Sequence, residues 1–243
     1  MGLVESMGFH PEVRMTDVDY LLSIRSEDVS RLAGLIEERG MKVFTHGPFF
    51  GLDVASLDRK ISDYSFHSII RGLEVSRSLG AEVMVIHTGY LPQYSRGGRR
   101  HWFRNFRRKM TQIAEEAGRI GIKLALENTW DDRPEVILHM LEMLPDNSAW
   151  VCLDTGHMNA FSRYPVRRWW SVLGKSVIAL HLHDNDGLSD DHLVPGCGTF
   201  DFQALVDEVV GSGSVPLLDF EVDFEGALQA RSHIDGLFRK HGY

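Results

Sequence analysis

Six times in this chain a short apolar run ends on a residue able to bind a metal ion: Val43 to His46, Val83 to His87, Leu124 to Glu127, Trp150 to Asp154, Val177 to His183 and Pro216 to Glu221. Runs of this length, rich in Val, Ile and Leu, read as strands buried on both faces. Helix-like segments separate them, which predicts an α/β chain with a parallel sheet of βα units. Parallel strands present their C-terminal ends at one face, where parallel barrels carry their active sites. The pattern is that of a metalloenzyme.

The 243 residues suit one barrel, and no Pro/Ser-rich linker or low-complexity break interrupts the alternation, so a single domain over residues 1–243 is expected. No apolar stretch approaches the roughly 20 residues needed to span a bilayer, and no secretory signal opens the chain, so a cytoplasmic protein without membrane contact is expected. Cys152 and Cys197 give no disulfide framework, and Cys152 reads as a strand core residue. The net charge of −8 argues against bulk nucleic-acid binding. Charge is nevertheless uneven: Arg96, Arg99, Arg100, Arg104, Arg107, Arg108 and Lys109 fall in one stretch without an acid. That stretch is either a solvated helix face or a phosphate clamp, a task for which the bidentate guanidinium is suited.

Phe103, Phe106, Met110, Ile113, Ala117 and Ile120 alternate spacings of three and four and predict a helix, with Gly121 placed to end it. Pro134 fits a helix first turn. Leu205, Val206 and Val209, then Leu228, Ile234, Leu237 and Phe238, mark the last two helices, and Trp169 and Trp170 read as core. Ahead of Val43 there is one clear helix, about Ser26 to Arg39, and one candidate strand within Gly8 to Arg14. If eight strands are intended, the first strand and most of its helix are missing; an open edge of this kind would invite association into a homo-oligomer.

Two short motifs add ligands to the strand ends. Asp154-Thr155-Gly156-His157 offers a carboxylate and an imidazole three residues apart across a turn, and Asp190-Asp191-His192 offers another pair. The candidate metal set is His46, His87, Glu127, Asp154, His157, His183, Asp190, His192 and Glu221. Imidazole and carboxylate without thiolate suits zinc or manganese. Singly, each has a plain structural reading: a rim histidine, an Asp capping the following turn, a paired Glu. Together they would bury several acids at high cost unless metal compensates them. His181 and His183 share a strand face; His183, nearer the strand end, is the favoured ligand, with His181 supporting it or touching substrate. Asp219 shares a face with Glu221 and sits where it would orient a ligating histidine. The loop Asp184 to Thr199 reads either as a flap that brings Asp190 and His192 onto metal or as an ordinary surface loop.

These residues resemble the xylose-isomerase-like TIM barrels, the superfamily of sugar isomerases and epimerases and of endonuclease IV. The resemblance is carried by His46-Gly47-Pro48-Phe49, Val85-Ile86-His87-Thr88-Gly89-Tyr90, Leu126-Glu127-Asn128-Thr129, Leu153-Asp154-Thr155-Gly156-His157 and His181-Leu182-His183-Asp184-Asn185-Asp186-Gly187. It implies a parallel (β/α) TIM-type barrel, with Gly8 to Arg14 as the family's second strand and Glu12 facing inward. As a sugar or sugar-phosphate isomerase, Glu127, Asp154, His183 and Glu221 would hold one divalent ion. Glu127 and Glu221 would act as acid and base beside a carbonyl, and His157, His181 and Arg96 would contact substrate. As an endonuclease IV-like phosphodiesterase acting on nucleic acid, all nine positions would hold three zinc ions. Three divalent ions against Glu127, Asp154, Asp190 and Glu221 leave a positive site suited to phosphate; one ion leaves a negative one. The acidic chain and the short loops favour the isomerase. A non-catalytic sugar-phosphate or metal binder is the third reading.

Overall fold

The seven strands of the sheet are β1 (Glu12–Arg14), β2 (Phe44–His46), β3 (Val83–His87), β4 (Lys123–Glu127), β5 (Trp150–Asp154), β6 (Val177–Leu182) and β7 (Leu217–Phe220). They come from a computed structural model that describes residues 2–242. The strands follow one another across the sheet in chain order, and the β1–β2, β2–β3, β5–β6 and β6–β7 registers are all parallel. This is the predicted parallel (β/α) architecture, with one strand fewer than the eight of a complete TIM barrel. Met84, Leu124, Ala125, Leu126, Val151, Cys152 and Leu153 are wholly buried, as strands covered on both faces require. Among the described residues, no helix is long and apolar enough to cross a membrane.

The chain divides into two compact units. The first runs to Gly89 and includes Gln93–Leu126 and Met140–Ala149; the second comprises Tyr90–Pro92, Glu127–His139 and Trp150 onward.

In the first unit, α1 (Gly2–Ser6) and α2 (Val18–Ser23) add to the predicted α3 (Ser26–Glu38), and β1 is shorter than the segment Gly8 to Arg14 allowed. Met15, Leu21, Val29, Ile36 and Val43 pack with Val75 and Leu79 into one apolar cluster. The 20-residue α4 (Arg59–Ser78) has no strong apolar stripe, because its buried face is built from Ser62, Ser65, Ser68, Gly72 and Ser76 beside Ile69 and Leu73. The hydroxyls of Ser65, Ser68 and Ser76 donate to the carbonyls of Ile61, Tyr64 and Gly72 one turn back, at 2.7, 2.9 and 2.8 Å. The serine donors are thereby satisfied within the helix, while Ser76 Oγ also meets Thr45 Oγ1 at 2.7 Å and Ser65 Oγ accepts the Asp53 N–H at 2.9 Å. Asp58 caps the helix, accepting from Lys60 N at 2.7 Å.

Helix α5 (Arg96–Ile120) buries Trp102, Phe106, Met110, Ile113 and Ala117 and ends on Gly121 at φ 79°, the left-handed conformation that glycine adopts without strain. Its arginines are exposed. Lys109 departs from the expected basic run: it is buried, its Nζ lies 2.7 Å from Asp63 Oδ1, and it sits 4.5 Å over the Phe66 ring.

In the second unit lie α7 (Thr155–Phe161), α8 (Val166–Leu173), α9 (Phe202–Ser212) and α10 (Gly226–Arg239), while α6 (Pro134–Glu142) opens on Pro134 as expected. Trp169 and Trp170 are core, and Leu205, Val206 and Val209 are buried in α9. Leu228 does not mark the α10 core: it is 46% exposed, because six residues before Ile234 it lies well round the helix from the buried stripe.

Candidate metal centre

His46 and His87 end β2 and β3 and meet within the first unit, ring centroids 5.0 Å apart. Phe49 packs on both, at 4.9 and 4.3 Å. Nδ1 of the buried His46 lies 2.9 Å from Gly47 O. A carbonyl only accepts, so the proton sits on Nδ1 and Nε2 carries the lone pair a metal needs. Gly47 allows the approach of β3: a Cβ there would stand 2.9 Å from Ile86 Cγ2.

The other candidates gather in the second unit. Asp154 ends β5 and also caps α7, accepting the His157 N–H at 2.7 Å. The expected turn between Asp154 and His157 is therefore the first turn of a helix, and one full turn brings the imidazole back over the acid. His157 Nδ1 lies 3.0 Å from Asn128 O and His192 Nδ1 2.8 Å from Glu221 O. Like His46, each is held by a main-chain carbonyl so that Nε2 is presented. Asn128 follows Glu127; its amide donates to Asp154 O at 3.0 Å and accepts Asp154 N–H at 2.8 Å. Glu127 and Asp154 are thereby locked together. His183 and Glu221 each lie one residue past a strand end, where a side chain can turn into the cluster. Thr155 Oγ1 clamps the His183 main chain, 2.7 Å from its carbonyl and 3.1 Å from its nitrogen. Gly156 leaves room for the His183 ring, since a Cβ would fall 2.0 Å from Cε1.

Donor atoms around a tetrahedral ion with bonds near 2.1 Å stand about 3.4 Å apart. His181 Nδ1 is 3.3 Å from Glu127 Oε1, 3.3 Å from Glu221 Oε1 and 3.8 Å from Asp154 Oδ2. His157 Nε2, the nitrogen left free to ligate, is 3.3 Å from Asp190, while its Nδ1, turned to the Asn128 carbonyl, lies 3.4 Å from both Glu127 and Asp154. His183 Nε2 is 3.0 Å from Asp154 Oδ2, and its buried Nδ1 has no hydrogen-bond partner. His183, Asp190 and His192 also form a donor group within 4.8 Å, as do Glu127, Asp154 and His157, and Asp154, His183 and Glu221. The residues fit a divalent metal, and the second unit carries more than one set of donors for it.

Electrostatics agree. Glu127, Asp154 and Glu221 are 1%, 0% and 7% exposed, a density of buried acid that needs positive charge beside it. Burial opposes charge on His157, yet Asp154, Asp190 and Glu127 hold it well above the usual imidazole range. Burial likewise opposes charge on His181, and Cys152, Glu221 and Glu127 outweigh it. The hydrogen bond to Asp190 raises His192 to about 9. Burial would raise Asp190, but hydrogen bonds from His157 and His192 hold it far below the carboxylate range. Protons thus stand where an ion's charge belongs.

Both β6 histidines reach the acids. His183 faces Asp154 and Asp190, while His181 touches Glu127, Asp154 and Glu221. Asp219 offers an oxygen within 4.8 Å of the His181 and Glu221 donors. Arg96 is exposed in the first turn of α5. Sequence reasoning missed Asn128 and Asp184, whose contacts are to main chain and leave no spacing signal. It also missed Asp131, a buried acid in the loop after β4 that burial pushes up to about 7.

Residues 4–236 match the family model described as xylose isomerase-like TIM barrel. An uncharacterised protein of Methanocaldococcus jannaschii, MJ1311, is 26% identical over 203 residues, 80% of this chain and 69% of that one. The fructoselysine 3-epimerase of Escherichia coli O157:H7 is 25% identical over 166 residues, 64% of this chain, and the match spans only 58% of its own length. The crystal structure of a D-tagatose 3-epimerase-like protein superposes with a TM-score of 0.83 at 22% identity, covering 96% of this chain and 90% of that one. Sheet order, strand-end ligands and family match coincide: the chain belongs to the xylose isomerase-like TIM barrel family.

Proposed function

We propose that this chain is a divalent-metal-dependent epimerase or isomerase of a sugar or sugar phosphate. The observation that carries the reading is the placement of Glu127 and Glu221, each 3.3 Å from the same His181 nitrogen and both buried. Two acids flanking one small site are what proton removal and return at a single carbon requires. Zinc or manganese, held by Glu127, Asp154, Glu221 and an imidazole, would polarise the substrate oxygens. His183, 3.0 Å from Asp154 and 3.8 Å from Glu221, and His181, 3.3 to 3.8 Å from all three acids, are both within reach to be that imidazole. One glutamate takes the proton from the carbon next to the carbonyl, and the other returns it from the opposite side. His157 holds a substrate hydroxyl. The 3-epimerase activity named for the 25%-identical relative supports epimerisation over aldose–ketose isomerisation.

A second reading is favoured by the His183–Asp190–His192 donor group, which stands beside the Glu127–Asp154–His157 and Asp154–His183–Glu221 groups. These exceed what one ion needs and would suit a multinuclear zinc phosphodiesterase. One experiment separates the two. The protein, with its ion content measured, is incubated with keto-sugars and their phosphates in D2O and, separately, with bis(p-nitrophenyl) phosphate. Deuterium entering the carbon beside the carbonyl supports the epimerase. Phosphodiester hydrolysis without deuterium incorporation, at about three ions per chain, replaces it.

A further inference from the structure

The loop that carries Asp190 and His192 is closed around one side chain. Asp184 is 0% exposed, and its carboxylate accepts four main-chain N–H groups. Oδ1 takes those of Asn185 and Phe200 at 2.9 and 3.0 Å, and Oδ2 takes those of Gly196 and Gly198 at 3.0 and 2.9 Å. The Asp184 main chain pairs antiparallel with Leu193, exchanging two hydrogen bonds of 2.8 Å. Asn185 completes the clasp: its amide donates to Gly156 O at 2.8 Å, and its Oδ1 accepts from Asn159 and Gly187 at 2.8 and 2.9 Å.

The glycines belong to the same device. At Gly198 a Cβ would stand 2.2 Å from Asn185 O and 2.4 Å from Asp184 Oδ1, so only glycine lets its N–H reach the carboxylate. The result is visible at His192, which sits at φ 51°. A side chain in that region is strained and persists only where its surroundings dictate it. None of these contacts involves a metal donor atom, so they do not require an ion.

We propose that Asp184 is the positioning residue that assembles the Asp190–His192 arm before an ion arrives, in place of a flap that the ion itself would close. This rests on the reading of Asp190 and His192 as servants of the metal centre. A carboxylate accepting four N–H groups is strong enough to hold a loop of this length, and an arm already in place spares the ion the ordering cost.

The test is hydrogen–deuterium exchange over residues 184–200 in wild type, Asp184→Asn and Gly198→Ala. Each is measured with chelator and with added zinc or manganese, beside ion affinity by titration. In wild type the loop amides are expected to be protected equally with and without ion. In Asp184→Asn they exchange at least about tenfold faster without ion and recover when it is added, and apparent ion affinity falls about tenfold. A substitution that merely weakened the fold would lower the melting temperature without making loop exchange ion-dependent. Gly198→Ala keeps the carboxylate and disturbs the same bonds, so the test survives if Asp184→Asn fails to fold. Wild-type protection that appears only with ion, or exchange unchanged in both variants, overturns the proposal. The metal reading fails separately, by an unchanged ion content in an Asp190→Ala/His192→Ala double variant.

Discussion

The imidazole of His192 lies flat on that of His183, ring centroids 3.9 Å apart and planes 4° from parallel. Asp190 lies within 3.7 Å of both rings. The main chain at His192 is left-handed. His192→Ala should therefore destabilise the protein by about 1 kcal/mol more than His192→Gly. Both should lose the same ion affinity. Chemical denaturation and metal titration of the two variants check this; equal stabilities would show that the backbone there is unstrained.

The proposed proton transfer would make a strong demand on Glu127 and Glu221. Glu127→Gln and Glu221→Gln should each lower kcat by about 10²- to 10⁴-fold, and deuterium wash-in at the substrate carbon should fall with turnover. Asp154→Asn should lower ion content first. A glutamine variant that retains wash-in would remove that residue from the acid–base pair.

Ion binding has to displace protons from His157, His181 and His192, so ion affinity should rise with pH. The ion-free protein should behave oppositely. His192 is raised from an unfolded value near 6.5 to about 9. Its contribution to stability is thus fully present below about 6.5 and is lost as pH rises through about 9. Thermal melts in chelator from pH 6 to 10 should show the decline, and zinc or manganese should abolish it.

Asp131 has the reverse chemistry. Burial favours its neutral form and raises it to about 7, while the unfolded chain ionises near 3.9. Unfolding is therefore favoured increasingly as pH rises from about 4 to 7. Asp131→Asn keeps an acceptor for the Thr129 N–H, 3.1 Å from Asp131 Oδ2, and should flatten that part of the profile. A variant whose melting temperature follows wild type across this range would place the charge elsewhere.

Gly156→Ala tests the packing under the centre. The added methyl would occupy the His183 ring position, so the ring must move or the helix must shift. A loss of about 1–3 kcal/mol together with weakened ion binding is expected from denaturation and titration. An unaltered affinity would show that His183 is not a ligand.

The strand ends were legible because a buried βα unit has a simple signature, an apolar run followed by the residue it exposes at one face. Val83 to His87 and Trp150 to Asp154 were readable for that reason. Helix α4 was not, since Ser62, Ser65, Ser68 and Ser76 are buried through hydrogen bonds to their own helix or a nearby loop carbonyl, and no apolar period records that. The choice between His181 and His183 was hidden too. Alternation puts both on one face, and both reach the acids: His181 lies 3.3 to 3.8 Å from Glu127, Asp154 and Glu221, and His183 lies 3.0 and 3.8 Å from Asp154 and Glu221. Asp184 and Asn185 read as ordinary loop polarity until their main-chain partners are seen.

The Asn128 side chain, bonded to both polar groups of the Asp154 main chain, acts as a surrogate peptide group. It adds one more rung between the ends of β4 and β5 at the level where backbone pairing would stop and loops would begin to drift. Glu127 and Asp154 cannot then adjust independently to ions of different radius. In the proposed metal site they would behave as one jaw of fixed gape, leaving selectivity to Glu221, His181 and His183.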